Sequence, residues 1–425
     1  MPPPLVTAVV TPLEGLELER MLAALAGNPH NAVVQVVSGD ASAPGPGPLS
    51  GVPVVVKDLI NVAGLPTRCG SAVLADAPPA REDAAVVAAL RAAGAVMVAK
   101  SHTHEFGYGP TGDIAAAGPC RNPHDPQRIT GGSSSGSAAL VAAGLVPLAL
   151  GTDTGGSGRI PAALCGVVGL KPAHGVLPTT GVFPLSETLD HIALLGADVS
   201  RVCQAFSALT GRPLEPSAPV AGIVVGRPID SYWQAHDPEI TAAVDRAADA
   251  LSAAGAVLRE IPTPEIDEFA ATYWVIVGAE AHTTHQPWLT QRPGDYQPAT
   301  AARLHTAAQY SAADYITAQR TRHRLGAELT TRIRTAGIDV LLLPSTPLRA
   351  TPIGARRVDA PDGTEVEVMA SLLSLTLPFN LLGWPALSVP APEVTGLPIG
   401  VQLAAPPDRD QAMLAAAAAV SYPAG

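Results

Sequence analysis

The sequence predicts an α/β fold in which helices cover both faces of a large, mixed but mostly parallel β-sheet. Short runs of β-branched residues, bounded by glycine and proline, alternate with alanine-rich helical segments along the whole chain. This alternation is typical of sheets whose strands are connected by helices that pack on them. A hydrophobic share of 47% and a charged share of 15% allow a large core and argue against extensive disorder.

The first strands are predicted where valine dominates, over Val33 to Val37 and Val52 to Val56. Further along, a helix that ends at glycine is followed by a short apolar strand, and this pattern occurs three times. The predicted pairs are Asp83–Gly94 with Ala95–Ala99, Pro238–Gly255 with Ala256–Ile261, and Ala312–Gly337 with Val340–Leu343. Residues 205–220 and 352–365 are richer in proline, glycine and charge, and are predicted to be surface loops of one domain, with joints between two lobes as the alternative.

Charge and hydropathy exclude several classes of function. The net charge is −11 and no block of basic residues occurs, so neither nucleic acid nor an anionic membrane is an expected partner. Met1 to Val10 lacks the basic start and long apolar core of a signal peptide. The apolar run from Ala138 to Leu150 is interrupted by Gly144 and Pro147 and is too short to span a bilayer. We therefore expect a soluble, cytoplasmic protein.

No metal site or disulfide framework is predicted. The cysteines are scattered without C-x-x-C spacing. They are Cys69, Cys120, Cys165 and Cys203. His102 and His104 are two residues apart rather than the four of a helical zinc pair, so a metal role for them is only an alternative hypothesis.

The stretch from Gly131 to Ala163 contains two Gly-Gly-Ser turns. Their serines, Ser133 and Ser157, are 24 residues apart, which is enough for a helix and a strand that fold back, so both serines are expected at one end of the sheet. Glycines before a serine allow tight turns whose backbone N–H groups converge, as an oxyanion hole requires. A phosphate-binding loop is the alternative, but neither G-x-x-x-x-G-K-[ST] nor a strand-linked G-x-G-x-x-G occurs.

A serine nucleophile needs a base, and Lys57 is the candidate. It ends the valine run GVPVVVKD, where desolvation would lower its pKa and leave the amine neutral. No G-x-S-x-G elbow is present, which disfavours a Ser-His-Asp hydrolase of that kind. The alternative is that Lys57 pairs with Asp58 in solvent.

Five motifs stand between about Leu49 and Val420. They are GVPVVVKD, RNPHDPQRITGGSSSGSAALVAAG, GTDTGGSGRIPAALCGVVGLKP, LLLPSTP and GWPALSVPAPEVTGLPIGVQL. In order and spacing they resemble the amidase signature family of hydrolases. The resemblance implies a Ser-cisSer-Lys triad in which Ser157 is the acylated nucleophile, Ser133 the bridging serine and Lys57 the base. It also implies that the peptide at Ser133 is cis.

The resemblance assigns further residues around the nucleophile. The oxyanion hole would be formed by the backbone N–H groups of Thr154, Gly155, Gly156 and Ser157. Supporting roles fall to Ser134, Asp153 and Arg159. For Arg159, anchoring of the turn is favoured over binding of a substrate carboxylate, because an unpaired buried charge is costly.

The resemblance also implies a single-domain fold over residues 1–425. This domain would comprise an N-terminal segment (1–48), a signature core with the triad (49–200) and a part with substrate-pocket helices and C-terminal strands (201–425).

Four positions depart from the family's usual pattern. Ser135 replaces a glycine, and Gly158 replaces a β-branched residue. His102 and Thr130 stand where relatives often carry asparagine and proline. None of these changes removes a member of the triad, so we expect them to alter the shape of the site rather than its chemistry.

The substrate pocket is predicted from aromatic residues and from the segment SHTHEFGYG, which lies near the active site in the resembled family. The predicted pocket residues are Thr103, Phe106, Tyr108, Tyr232, Trp233 and Trp274. Packing in the core is the alternative for the aromatic members. Asp190 and His191 are interpreted as a turn without a catalytic task.

The predicted function is hydrolysis of the carbon–nitrogen bond of amides, with anilides, esters and carbamates or urethanes as further substrates. The mechanism needs no cofactor and no metal, and the expected partner is a small amide or carbamate, with the protein a monomer or homodimer. The alternative is the glutaminase subunit of a tRNA-dependent amidotransferase, which would co-purify with a second protein. A binding scaffold without activity is disfavoured because Lys57, Ser133 and Ser157 are all present.

Overall fold

The computed structural model describes residues 16–37 and 45–421. Met1 to Val10, on which the signal-peptide prediction rests, lies outside these residues, as does part of the segment 1–48. Within the described residues, strands from all three predicted segments of the chain join one 11-stranded sheet. None of the helices in these residues is long and apolar enough to cross a membrane.

The strands of the described residues follow in chain order. They are β1 (Val33–Val36), β2 (Pro53–Lys57), β3 (Val96–Ser101), β4 (Arg121–Asn122), β5 (Asp125–Ile129), β6 (Leu148–Thr152), β7 (Val168–Lys171), β8 (Ile192–Gly196), β9 (Val224–Pro228), β10 (Val257–Ile261), β11 (Val340–Pro344), β12 (Arg357–Asp359), β13 (Glu365–Glu367), β14 (Ala386–Pro390) and β15 (Gly400–Ala404). β4 with β5, and β12 with β13, form two small separate sheets. The main sheet has the order β1-β3-β2-β6-β8-β7-β14-β15-β11-β9-β10.

The α-helices of the described residues connect and cover these strands. They are α1 (Leu16–Ala26), α2 (Ala85–Ala92), α3 (Ser135–Ala142), α4 (Arg159–Cys165), α5 (Val199–Thr210), α6 (Pro238–Ala253), α7 (Phe269–Gln291), α8 (Pro298–Ala307), α9 (Ala312–Thr335), α10 (Val368–Ser374), α11 (Leu377–Leu381) and α12 (Asp410–Ser421).

The sheet is mixed, as predicted, but fewer of its pairings are parallel than expected. Parallel pairs occur in two groups: β2 pairs with β3 and with β6, and β9 pairs with β11 and with β10. The other pairings, including those at the centre, are antiparallel, which corrects the expectation of a mostly parallel sheet. Antiparallel strands that are covered on both faces carry the same continuous apolar runs as parallel ones, so the sequence pattern does not separate the two.

The predicted strands and helix–strand pairs are present, with ends that differ from the observed ones by at most two residues. The two predicted loops need correction. α5 extends to Thr210, because Ala205 and Phe206 are buried in the core and Gly211 ends the helix with φ 67°. Segment 352–365 includes β12 and the first residue of β13, which form a hairpin.

Helices cover both faces of the main sheet, as predicted. One face packs against α2, α5, α6 and α12. The other packs against α1, α3 and α4 at one end and against α7, α9, α10 and α11 at the other. Val54 and Val56 of β2 face the first layer while Val55 faces the second, so this central strand is apolar throughout.

Two neighbouring parallel strands bring the predicted site together. Val54 of β2 lies opposite Leu148 of β6, so both strands end at the same edge of the sheet. Lys57 is the last residue of β2 and Thr152 the last of β6. The turn before α3 contacts these strand ends, and it also contacts the turn before α4.

Candidate active site

Lys57 is fully buried at the end of β2. Its Nζ donates to Ser133 Oγ and to Thr152 Oγ1, each at 2.7 Å. Burial lowers the pKa of Lys57 to about 7, although the carboxylates of Asp153 and Asp190 act in the opposite direction. A large fraction of this amine is therefore neutral at neutral pH, and a neutral amine can accept a proton.

The neighbouring Asp58 is not the partner of Lys57. Its carboxylate lies 3.1 Å from Nζ of Lys100, and both side chains are buried. The structure therefore excludes the alternative of a solvent-exposed pair between Lys57 and Asp58.

The two Gly-Gly-Ser turns contact each other. The backbone N–H of Ser134 donates to the carbonyl oxygen of Ser157 at 3.2 Å. The hydroxyl of Ser134 donates to the carbonyl of Thr152 at 3.1 Å and accepts from its N–H at 3.2 Å, which ties the first turn to the end of β6. The peptide bond between Gly132 and Ser133 is cis. Ser157 is 5% exposed, and its hydroxyl has no hydrogen-bond partner in the described part of the chain.

The turn before Ser157 presents unpaired backbone donors. The N–H groups of residues 154–157 donate to no acceptor among residues 16–37 and 45–421. The glycines are required for space: a Cβ on Gly155 would collide with the hydroxyl of Tyr273, and one on Gly156, whose φ is 135°, with the side chain of Thr376. Consecutive unpaired N–H groups beside a serine are the donors that an oxyanion hole requires.

Asp153 and Arg159 form a buried ion pair that anchors this turn. Nε and Nη2 of Arg159 donate to the two carboxylate oxygens of Asp153 at 3.0 and 2.9 Å. Its remaining donors reach Oδ1 of Asn380, Oε1 of Gln402 and the carbonyl of Thr376. Although burial opposes it, the Arg159 guanidinium holds the pKa of Asp153 well below its usual range. All five guanidinium N–H groups have protein acceptors, so none is left for a substrate carboxylate.

Gly158 also occupies a position without room for a side chain. A Cβ there would collide with Cβ of Ala193 on β8, the strand that pairs with β6. The N–H of Gly158 donates to Asp153 Oδ2 at 3.1 Å. The absence of a β-branched residue at this position is therefore explained by the close approach of β8.

A small, narrow pocket lies beside Ser157. Its lining residues come from the turn that carries Ser157, from the segment around Tyr108, from the loop before β8 and from α7, α8 and α10. They are Gly107, Tyr108, Gly109, Thr154, Gly155, Ser157, Leu185, Tyr273, Trp274, Arg303, Met369 and Leu373. Two of the predicted pocket residues, Tyr108 and Trp274, are in this set.

The other predicted pocket residues lie outside this lining, in packed surroundings. Phe106 packs in an aromatic cluster with Phe183, His285 and Tyr296. Thr103 is buried and donates to a backbone carbonyl.

Tyr232 and Trp233 also have partners away from the pocket. The Tyr232 hydroxyl donates to the carbonyl of Ser374 at 2.7 Å. Trp233 donates to Thr263 Oγ1 at 2.7 Å and stacks on Phe379. The alternative of core packing therefore describes the observed surroundings of both side chains.

His102 and His104 are hydrogen-bonded to protein atoms. Nε2 of His102 lies 2.9 Å from the carbonyl of Gly118, and Nδ1 of His104 accepts from the N–H of Gly112 at 3.2 Å. No group of three His, Cys, Asp or Glu side chains with metal-site geometry occurs in the described residues. The four cysteines are buried free thiols.

Three residues of the site were not predicted from the sequence. Thr152 contacts the Lys57 amine, and only its place in the TDTGGS segment hints at this. Asp190, interpreted as part of a turn, accepts from Thr154 Oγ1 at 2.5 Å. Arg303 lines the pocket from α8, donates to the carbonyl of Tyr108 and lies over that residue's ring, with Cζ 5.1 Å from the ring centre.

Comparisons with known proteins match nearly the whole chain. A family model described as Amidase matches residues 29–414, which include every residue of the candidate site. AtzE, which belongs to the 1-carboxybiuret hydrolase of Pseudomonas sp. strain ADP, is 38% identical over 377 residues, covering 85% of this chain and 81% of that protein. One of the subunits of the glutamyl-tRNA(Gln) amidotransferase of Symbiobacterium thermophilum is 36% identical, with 87% and 82% covered.

Solved structures agree with these matches. One described as the crystal structure of amidase superposes with a TM-score of 0.86 and 36% sequence identity. The superposition covers 95% of this chain and 94% of that one.

Proposed function

This chain belongs to the amidase family of hydrolases, and we propose that it hydrolyses the carbon–nitrogen bond of small amides through an acyl-enzyme on Ser157. The observation that carries the proposal is the buried 2.7 Å hydrogen bond between Lys57 and Ser133, next to a serine turn with unpaired N–H groups. A buried amine with a lowered pKa, a bridging hydroxyl and a nucleophile form a proton relay.

In the first step, Ser157 Oγ attacks the amide carbonyl carbon. Its proton passes to Ser133 Oγ while the proton of Ser133 passes to neutral Lys57 Nζ. The carbonyl oxygen gains the negative charge and is bound by the N–H groups of residues 154–157.

In the second step, the carbon–nitrogen bond breaks. The proton on Lys57 returns through Ser133 to the leaving nitrogen, which departs as a neutral amine or ammonia. A water molecule then attacks the acyl ester, using the same relay, and releases the carboxylic acid and free Ser157. Anilides, esters and carbamates present the same carbonyl to this relay and are further substrates.

The pocket favours amides that also carry a carboxylate. Arg303 is half-buried in its wall, and no carboxylate of the described residues lies within ion-pair distance of its guanidinium. A guanidinium in a small pocket with apolar walls such as Leu373 and Met369 is suited to a carboxylate, which it binds through two parallel hydrogen bonds.

The alternative is the glutaminase subunit of an amidotransferase. Both relatives described above are named as subunits, one of them of a glutamyl-tRNA(Gln) amidotransferase, and several further relatives carry that same amidotransferase name. We favour the free amidase because no lining residue of the described pocket is acidic, so the ammonium group of glutamine would lack a carboxylate partner.

A labelling experiment tests the nucleophile. A fluorophosphonate should phosphonylate the wild-type protein, and the Ser157→Ala variant should remain unlabelled and inactive. If the variant retained a tenth of the wild-type rate, about 1.4 kcal/mol in barrier, the assignment of Ser157 would be wrong.

A substrate panel tests the reaction. Release of ammonia is measured from succinamate, from butyramide and from glutamine, and release of amine from an anilide and a carbamate. We expect succinamate to react fastest. Preferred turnover of glutamine, together with co-purification of a second protein, would support the amidotransferase alternative instead.

A further inference from the structure

Asp190 connects the turn before the nucleophile with the wall of the pocket. It is 9% exposed, and its Oδ1 accepts from the hydroxyl of Thr154 at 2.5 Å. Its Oδ2 accepts from the backbone N–H groups of Leu185, a pocket residue, and Ser186 at 2.9 and 3.1 Å. One carboxylate therefore holds both a predicted oxyanion-hole residue and a residue that lines the pocket.

The loop that carries Asp190 is also held by a second carboxylate. Glu280 of α7 accepts from the hydroxyl of Ser186 at 2.5 Å and from the N–H and hydroxyl of Thr188 at 3.1 and 2.7 Å. It also accepts from the hydroxyl of Tyr315 on α9 at 2.6 Å. Because these bonds fix the loop without Asp190, the contact of Asp190 with Thr154 is not needed to hold the loop in place.

We propose that Asp190 is a positioning residue, which holds Thr154 in the geometry that receives the oxyanion and places a second ionisable carboxyl group beside the Lys57 relay. The inference rests on the proposed function. It assigns a task to a residue that touches neither the nucleophile nor the bridging serine.

The negative charge of Asp190 raises the pKa of Lys57, the proposed base. Burial raises the pKa of Asp190 to about 7, against its hydrogen bonds from Thr154, Ser186 and Leu185, and Glu280 raises it further. Once ionised, Asp190 favours the protonated form of Lys57, as Asp153 also does. Removing the charge of Asp190 should therefore let Lys57 lose its proton at lower pH.

Other ionisable groups surround Asp190 and Lys57, and these groups are the same in the wild-type protein and in the Asp190 variants. Those that face Asp190 are Lys57, Tyr273, Glu280 and the adjacent His191, and those that face Lys57 are Asp153, Asp190, Cys69 and His104.

The test uses the rate at which a fluorophosphonate labels Ser157 as a function of pH, so that it depends on no particular substrate. Asp190→Asn removes the charge and keeps the shape, since its amide oxygen can accept from the two N–H groups while its NH2 donates to Thr154 Oγ1. The labelling rate of the wild-type protein should rise with pH along an acid limb and then reach a plateau. For Asp190→Asn we expect this acid limb to move to lower pH by about half a unit or more, and the plateau rate to stay within about threefold of wild type.

Asp190→Ala removes the contact as well as the charge. We expect its plateau to fall about tenfold or more, because a displaced oxyanion donor weakens the transition state. Asp198→Asn is the matched control, because the Asp198 carboxylate accepts from the N–H of Arg201 at 2.7 Å and caps α5. This variant should not shift the acid limb of the labelling rate.

The outcomes separate this inference from the proposed function. If wild-type protein is labelled but Asp190→Asn keeps the wild-type limb, or if Asp190→Ala lowers only the melting temperature, Asp190 has a purely structural role and the inference is overturned. If wild-type protein is not labelled at all, the proposed function fails and the inference fails with it.

Discussion

The hydroxyl of Ser135 lies 2.8 Å from Nδ1 of His102, while Nε2 of the same ring lies 2.9 Å from the carbonyl oxygen of Gly118. Because a carbonyl only accepts, Nε2 carries the proton and Nδ1 accepts from Ser135. Burial lowers the pKa of His102 to about 4, so the ring is neutral. The side chains at two positions that depart from the usual pattern of the family therefore form a hydrogen bond with each other, and the Ser135 hydroxyl donates it to His102.

The first prediction follows from this contact. Ser135→Gly leaves the buried Nδ1 of His102 without a donor, so we expect the free energy of unfolding to fall by about 1–3 kcal/mol. Urea denaturation of Ser135→Gly, His102→Asn and the double variant forms a mutant cycle. The double variant should lose less stability than the sum of the single variants, and strictly additive losses would contradict the coupling.

The second prediction concerns the pH dependence of turnover. Lys57 acts as a base only when its amine is neutral, which is the majority form above its pKa of about 7. The rate should therefore fall as the pH drops through about 7. Lys57→Met should remove this acid limb together with most of the rate.

Lys57→Arg serves as the control for this prediction. A guanidinium stays protonated at any usable pH, so the variant should be as inactive as Lys57→Met. An unchanged acid limb with near-normal turnover in Lys57→Met would identify another group as the base.

The third prediction concerns recognition of the substrate by Arg303. Arg303→Met should lower kcat/KM for succinamate about 10- to 100-fold, the size of a lost charge-assisted hydrogen bond of about 1.5–3 kcal/mol. Hydrolysis of the neutral butyramide serves as the reference, because a loss caused by general damage to the pocket would affect both substrates. Equal losses for the two amides would show that Arg303 does not bind the carboxylate.

The fourth prediction concerns the space around Gly158. Gly158→Val places a side chain against Ala193, so the variant should lose about 1–3 kcal/mol of stability through overpacking. Adding Ala193→Gly opens the same space and should recover part of this loss in urea denaturation. If Gly158→Val were as stable as wild type, steric exclusion would not account for the glycine.

Sequence motifs point to the residues of the proposed relay more directly than to those of the pocket. Lys57, Ser133 and Ser157 stand at the ends of a buried strand and of two glycine turns, which are features that local sequence encodes. Arg303 reaches the pocket only through the packing of α8, which no local pattern describes. For the same reason the sequence could not tell that Phe106 packs among other aromatic rings.

For a related reason, the antiparallel pairing at the centre of the sheet could not be predicted from the sequence. Apolar strands covered on both faces look alike whichever way they run, so the direction of β8 could not be inferred. The need for glycine at position 158 depends on that direction, because β8 brings Ala193 beside it. A local departure from a motif is thus explained only by tertiary structure.

The ion pair of Asp153 and Arg159 bears on how the activity arises during synthesis. Three of the acceptors of Arg159 belong to Thr376, Asn380 and Gln402, which leave the ribosome long after Ser157. Until they arrive, the guanidinium of Arg159 would lack most of its partners, and the turn that carries Ser157 would have no stable anchor. A nascent or truncated chain that ends before Gln402 should therefore be inactive, even though it already contains Lys57, Ser133 and Ser157. Activity should appear only when β15, which carries Gln402, has joined the sheet.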